Sequence, residues 1–175
     1  EAERDAAGLP VVRIERGGAT TYHGPDQQML YPVLQVELGQ LHGFVGGLQE
    51  AVVQGCAALG VAAFKREEFP GVWTGKGKIA SLGLAVKRKV TLHGMALNCD
   101  PCASGGFDAI VPCGLEGVTM THLAAETGFP YPRVAVRAAL AAGWEMAFRT
   151  RVISGELDLI PPDLLPIPAP AEAEE

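Results

Sequence analysis

The amino-acid sequence predicts an α+β domain. Three observations carry this. Two segments, 41–60 and 131–150, repeat apolar residues at helical spacing. Between them lie short apolar runs separated by Gly- and Lys-rich turns, as in hairpins. The order lacks the strict strand–helix alternation of a parallel sheet.

Taken in order, "LPVVRIE" (9–15) alternates as a strand does, and the Gly-rich "RGGATTYHGPDQ" (16–27) follows. By itself that stretch reads as a tight turn between strands. "LYPVLQVEL" (30–38) reads as a second strand with Leu34, Val36 and Leu38 on one face, and Pro32 marks an edge or a beginning. In 41–60 the apolar positions 41, 44, 45, 48, 52, 56 and 59 describe a helix. Its glycines weaken it, so packing must hold it, and Gly60 is suited to stop it. Strands are then expected at 61–64, 71–74, 78–86 and 89–98, with turns at "GKGK" (75–78) and "KRK" (87–89). "FDAIVPCGL" (107–115) is a short apolar stretch, and "THLAAETG" (121–128) a short helix capped by Thr121. In the last helix, 131–150, Pro132 suits the first turn and Leu140, Trp144 and Phe148 share a face.

The chain has 175 residues, enough for one domain, expected over 1–153. From 154 to 175 it turns Pro-, Ala- and Glu-rich, and this tail is expected to be mobile. The net charge of −6 comes from six acids after Arg151; the remainder balances 14 acids against 14 bases. Nothing basic enough for nucleic acid is present, and no apolar run approaches the ~20 residues of a membrane span. The charged N-terminus lacks the apolar core of a signal peptide, so a cytoplasmic location with reduced thiols is expected.

Four cysteines stand at 56, 99, 102 and 113. Cys113 in "VPCGL" follows Pro and precedes Gly, which fixes a turn; a free cysteine is also often just a small buried apolar residue. Cys99 and Cys102 form a CxxC, but the second half of a zinc site is missing and its loop context is not that of a redox helix. No metal is expected. Lys78 in "GKGKIASLG" is either a solvated lysine at a hairpin end or part of a glycine loop, and it does not complete a phosphate-binding loop. His23 and His93 each precede Gly and could be plain hydrogen-bonding residues at strand ends.

Together and in order, "RGGATTYHGP", "GVWTGKGKIASLGLAV", "VTLHGMALN" and "FDAIVPCGL" resemble the octanoyltransferases of lipoate biosynthesis, from about Val11 to Gly117. The resemblance implies the biotin/lipoate protein ligase catalytic fold, with mixed sheets around an acyl tunnel. It implies transfer of an octanoyl or lipoyl group from acyl carrier protein to a lysine of lipoyl domains, in 2-oxoacid dehydrogenases and the glycine cleavage H protein. Cys113 matches the thiol that carries the acyl group and Lys78 the lysine that activates it. Arg16, Gly17, Gly18, Ala19, Thr20, Thr21, Tyr22 and His23 match the loop lining the acyl pocket. Ser81, Leu82 and Gly83, with Gly94, Met95 and Ala96, match the other acyl-contacting segments. No cofactor is implied, because the acyl group arrives activated as a thioester.

Members usually carry an acidic residue at the position of Ala19 and Gly at that of Asp26. They also carry a helix and a strand ahead of the Arg-Gly-Gly loop; without them a sheet edge and part of the pocket would be open. The alternatives are an ATP-dependent ligase of the same fold, a non-catalytic acyl- or lipoyl-domain-binding module, and a zinc or redox module on Cys99 and Cys102. Lys76, Lys87, Arg88 and Lys89 are expected either to form one basic docking patch for acidic partners or to be solvated turn residues.

Overall fold

The computed structural model describes residues 11–12, 14–18, 20–101, 106–108, 110, 117–153 and 155. Cys113, Cys102, Ala19 and all of the acidic tail except Gly155 lie outside them, so the expectations for these residues are not addressed by the fold.

Five strands form one antiparallel sheet: β1 (Gln27–Leu30), β2 (Phe64–Lys65), β3 (Val72–Thr74), β4 (Gly77–Lys87) and β5 (Val90–Asn98), in the order β1-β5-β4-β3-β2. Helices α1 (Leu41–Ala58) and α3 (Arg133–Phe148) pack on one face, and the short α2 (Leu123–Thr127) stands between β5 and α3. The α+β class is thus as expected. The long β4–β5 hairpin is its spine. Its turn residues Arg88 and Lys89 both have positive φ, 51° and 64°, which matches the right-handed twist of the two strands.

Apolar side chains at helical spacing on α1 (Leu48, Val52, Cys56) and α3 (Val136, Leu140) meet Val72, Ile79, Ala80, Met95 and Leu97 of the sheet in one core. The glycines that weaken these helices allow the crossing. A Cβ on Gly143 would come 2.1 Å from the Ala51 carbonyl oxygen, and one on Gly55 3.2 Å from that of Ala139. Gly60 (φ 76°) follows the end of α1 as expected. Trp144 and Phe148 stack, 4.1 Å between centroids, and Phe148 reaches Phe44 of α1.

Several elements differ from expectation. Residues 11–12 and 14–16 belong to no strand; instead the Gly17 N–H donates to the Leu84 carbonyl at the side of β4. The strand expected at 30–38 lies earlier, at Gln27–Leu30, where backbone pairing with Met95–Asn98 outweighs apolar alternation. Beyond it Val36 is buried while Leu34 and Leu38 are exposed, so the three share no buried face. The strand expected at 61–64 is confined to Phe64–Lys65. α2 is capped by His122, whose Nδ1 accepts the Ala125 N–H (3.1 Å). The Thr121 hydroxyl is diverted to Glu126 (2.7 Å), which also accepts the Thr74 hydroxyl (2.9 Å) and so ties α2 to β3. Finally, β4 separates Lys76 from the 87–89 turn by about 33 Å at ~3.3 Å per residue. The four basic residues therefore make no single patch; Lys87 and Lys89 pair instead with Glu15 (3.5 Å) and Glu37 (3.0 Å).

Candidate active site

A register irregularity decides which face of the sheet Lys78 occupies. Val72 pairs with Ala80 and Trp73 with Lys78, so β4 carries one extra residue, Ile79, opposite β3. Paired residues share a face and successive residues alternate. Lys78 therefore sits opposite Ala80, on the face of Ser81 and its partner Ala96. Without the bulge it would point with Ala80 into the core beneath the helices.

Lys78 is only 1% exposed, so it is not the solvated lysine that a hairpin end suggested. Its ammonium lies 5.4 Å from the Trp73 ring centroid, within cation–π range. Its stem lies against Gly71, where a Cβ would come 2.6 Å from Cε and 3.2 Å from Nζ. Gly71 is held from α1, where Gln49 Nε2 donates to its carbonyl (2.9 Å). The Lys78 backbone is fixed on its other side by bonds to Thr119 and Thr121.

Three residues further along the same face a groove opens, with about 260 Å³ of empty space, part of it open to solvent. Ser81, Leu82, Gly83, Gly94, Met95 and Ala96 form its floor, and Arg16, Thr21, His23 and Tyr31 its rim. The floor is small because Gly83 and Gly94 face each other across β4 and β5. Gly94 has φ 156°, and a Cβ there would come 2.2 Å from the Leu30 carbonyl oxygen. Arg16 lies directly over Gly83, where a Cβ would come 2.7 Å from Arg16 Cδ. Two hydroxyls of the groove, Ser81 Oγ and Thr21 Oγ1, are buried with no hydrogen-bond partner among the described residues.

Nine of the residues singled out from sequence thus line one groove: Arg16, Thr21, His23, Ser81, Leu82, Gly83, Gly94, Met95 and Ala96. Gly17, Gly18 and Thr20 are exposed and stand outside the lining. Tyr22 turns away from it and packs edge-on against Phe107 (5.4 Å), over Gly106, at the head of the segment leading to Cys113.

Tyr31 was missed, since nothing in its spacing marks it. Its hydroxyl lies 3.4 Å from His23 Nε2 and its ring stands edge-on to His93 (6.0 Å). Burial raises the Tyr31 phenol above its usual range, with nearby Arg16 acting the other way. His93 is aimed at Tyr31 from a left-handed backbone (φ 61°), a conformation rare for a residue with a Cβ. Cys99 is buried in the core, its Sγ 3.5 Å from the Leu97 carbonyl oxygen; burial pushes its thiol up to about 11. Among the described residues no cluster of His, Cys, Asp or Glu suits a metal, and no helix is long and apolar enough to cross a membrane.

This architecture is the catalytic fold of lipoate and biotin ligases. The crystal structure of a lipoate-protein ligase A bound with ATP superposes with a TM-score of 0.71 at 16% identity, covering 88% of this chain and 65% of that one. A lipoate protein ligase of T. acidophilum with bound lipoic acid gives 0.64 at 19% identity, covering 85% and 62%. Residues 1–145 match the lipoyl protein ligase A/B catalytic domain, and the chain belongs to that family. Its curated relatives include octanoyltransferases. That of Desulfovibrio desulfuricans is 48% identical over 126 residues, 71% of this chain and 53% of the relative. That of Mycobacterium tuberculosis is 43% identical over 144 residues, 80% and 62%. The chain spans about half to three-fifths of the length of these relatives.

Proposed function

We propose that this chain transfers an octanoyl group from a carrier-protein thioester to a lysine of lipoyl domains, the first step of lipoate assembly on proteins. The observation that carries the reading is a small-floored groove continuing from a buried lysine on one sheet face. A floor centred on the facing pair Gly83 and Gly94 suits an unbranched acyl chain, and Lys78 lies on the same sheet face, three residues before Ser81. The octanoyltransferase names of its relatives support the same reading.

In this reading residues 1–153 are one catalytic domain, residues 154–175 lie outside it, and the enzyme is cytoplasmic. Cys113 acts as the nucleophile. Its thiolate attacks the thioester carbonyl and expels the carrier's thiol; the acceptor amine then attacks the octanoyl-cysteine, forming the amide and freeing Cys113. A free cysteine has a pKa of about 8.5, and a neighbouring ammonium lowers it by roughly 1–3 units. Lys78 supplies that ammonium. The donor is acyl carrier protein, and the acceptors are the lipoyl domains of 2-oxoacid dehydrogenases and the H protein. The acyl-contacting residues are the nine groove residues above, with Gly17, Gly18, Ala19, Thr20 and Tyr22 shaping their loop.

Intact-protein mass spectrometry after mixing with octanoyl-acyl carrier protein tests this. A hydroxylamine-sensitive octanoyl adduct is expected, absent in Cys113→Ala and slowed in Lys78→Ala. Lipoate-dependent pyrophosphate exchange into ATP without an adduct would replace this reading with an ATP-dependent ligase.

A further inference from the structure

A chain of side-chain hydrogen bonds runs from the groove rim into the sheet. The His23 ring has Tyr31 Oη 3.4 Å from Nε2 and Gln27 Oε1 3.2 Å from Nδ1. Gln27 Nε2 donates to Asn98 Oδ1 (2.9 Å), and Asn98 Nδ2 donates to the Thr121 carbonyl (2.9 Å). Gln27 and Asn98 are buried and directly paired across β1 and β5, whereas His23 is exposed at the rim.

Backbone groups at both ends fix which way the two amides point. The Thr121 carbonyl can only accept, so Asn98 turns its NH₂ there and its oxygen toward Gln27. The Gly24 N–H can only donate, and it lies 3.3 Å from the Gln27 atom that also faces His23. That atom must be the oxygen, since the NH₂ would set donor against donor. His23 Nδ1 thus faces a fixed acceptor and carries the proton in the neutral ring. Nε2 is left with a lone pair toward the groove rim.

We propose that Gln27, oriented by Asn98, is a positioning residue that holds His23 in the Nδ1–H tautomer, so that Nε2 accepts a hydrogen bond from an N–H of the groove's ligand. For the identity of that ligand the inference rests on the octanoyl-transfer reading, in which the N–H belongs to the acceptor lysine. Nε2 has a single lone pair, which the ligand's N–H takes in place of the Tyr31 hydroxyl 3.4 Å away.

The test is long-range ¹H–¹⁵N correlation NMR of the ¹⁵N-histidine-labelled protein at alkaline pH, with His23→Ala identifying one of four imidazoles. A proton on Nδ1 of His23 is expected in the unaltered protein. A proton on Nε2, or an averaged tautomer, overturns the proposal without any variant having to fold. Gln27→Leu should release the tautomer and lower kcat/KM about tenfold, the scale of one lost hydrogen bond. Gln27→Glu keeps an acceptor facing Nδ1 but sets a carboxylate oxygen against Asn98 Oδ1, so it should hold the Nδ1–H tautomer and lose less kcat/KM than Gln27→Leu while lowering stability. Asn98→Ala, which frees the Gln27 amide to rotate, should also loosen the tautomer. Equal losses in Gln27→Leu and Gln27→Glu, with the tautomer unchanged in both, would make Gln27 merely structural and sink the idea. If the unaltered protein transfers no octanoyl group, the functional reading falls while the tautomer result stands on its own.

Discussion

Lys78 is the bulkiest fully buried side chain among the described residues, and it is a cation. An ionised amine is costly to bury unless its surroundings offset the lost hydration. The Trp73 ring and the space left by Gly71 are part of those surroundings. Lys78→Met keeps the length and removes the charge. It should leave urea-denaturation stability unchanged or higher, yet slow octanoyl-adduct formation at least tenfold. The buried thiols act differently. Burial pushes the Cys56 thiol up to about 12, with Cys99 adding to it, and Cys99 itself up to about 11. Both values are raised, so the folded protein holds these protons more tightly than the unfolded chain. The stability they contribute is fully present below about pH 9 and is lost as pH rises toward 11 and 12. The gap in stability between pH 8 and pH 10, read from denaturation curves, should therefore narrow but not close when Cys56 is replaced by Val, since Cys99 still contributes.

At the scale of elements, two close approaches depend on absent side chains. Gly143 of α3 lies over the Ala51 carbonyl of α1, so Gly143→Ala must part the helices, at a cost of roughly 1–3 kcal/mol in chemical denaturation. Gly94→Ala meets both a strained backbone (φ 156°) and the Leu30 carbonyl, and should detach β1 from β5. The expected readout is faster amide hydrogen exchange at Gln27–Leu30 together with lost acyl loading. Inserting one residue between Val72 and Trp73, opposite Ile79, tests the bulge: regular pairing would carry Lys78 to the helix-covered face, and adduct formation should vanish even if a folded protein is recovered. Helix α1 was legible from its apolar spacing, and the strands from 71 onward from their turns. The strand at Gln27–Leu30 was not. Three of its four residues are polar or thioether-bearing, and only pairing with β5 makes it a strand.

For the whole molecule, the charge distribution argues against docking by one positive face. The basic turn at 87–89 and Lys76 lie at opposite ends of β4, and Lys87 and Lys89 are paired with Glu15 and Glu37 at exposed sites. Such exposed pairs contribute little energy. Reversing charge at Lys87 and Lys89 should change kcat/KM and its salt dependence less than about twofold. A steep loss would show that the turn does meet a partner.

By itself the sequence determined the α+β class, the two long helices, the β4–β5 hairpin, the family and most of the groove. These rest on local patterns: apolar periodicity, turn residues and short motifs within single segments. Only the tertiary structure decided the side of the sheet that holds Lys78, the place of Tyr31 at the rim and the contact of His23 with Gln27. A face set by a one-residue bulge, a ring meeting another eight residues away and an amide oriented by Asn98, 71 residues on, depend on how distant segments pair. Backbone pairing between strands has no signature in either strand alone.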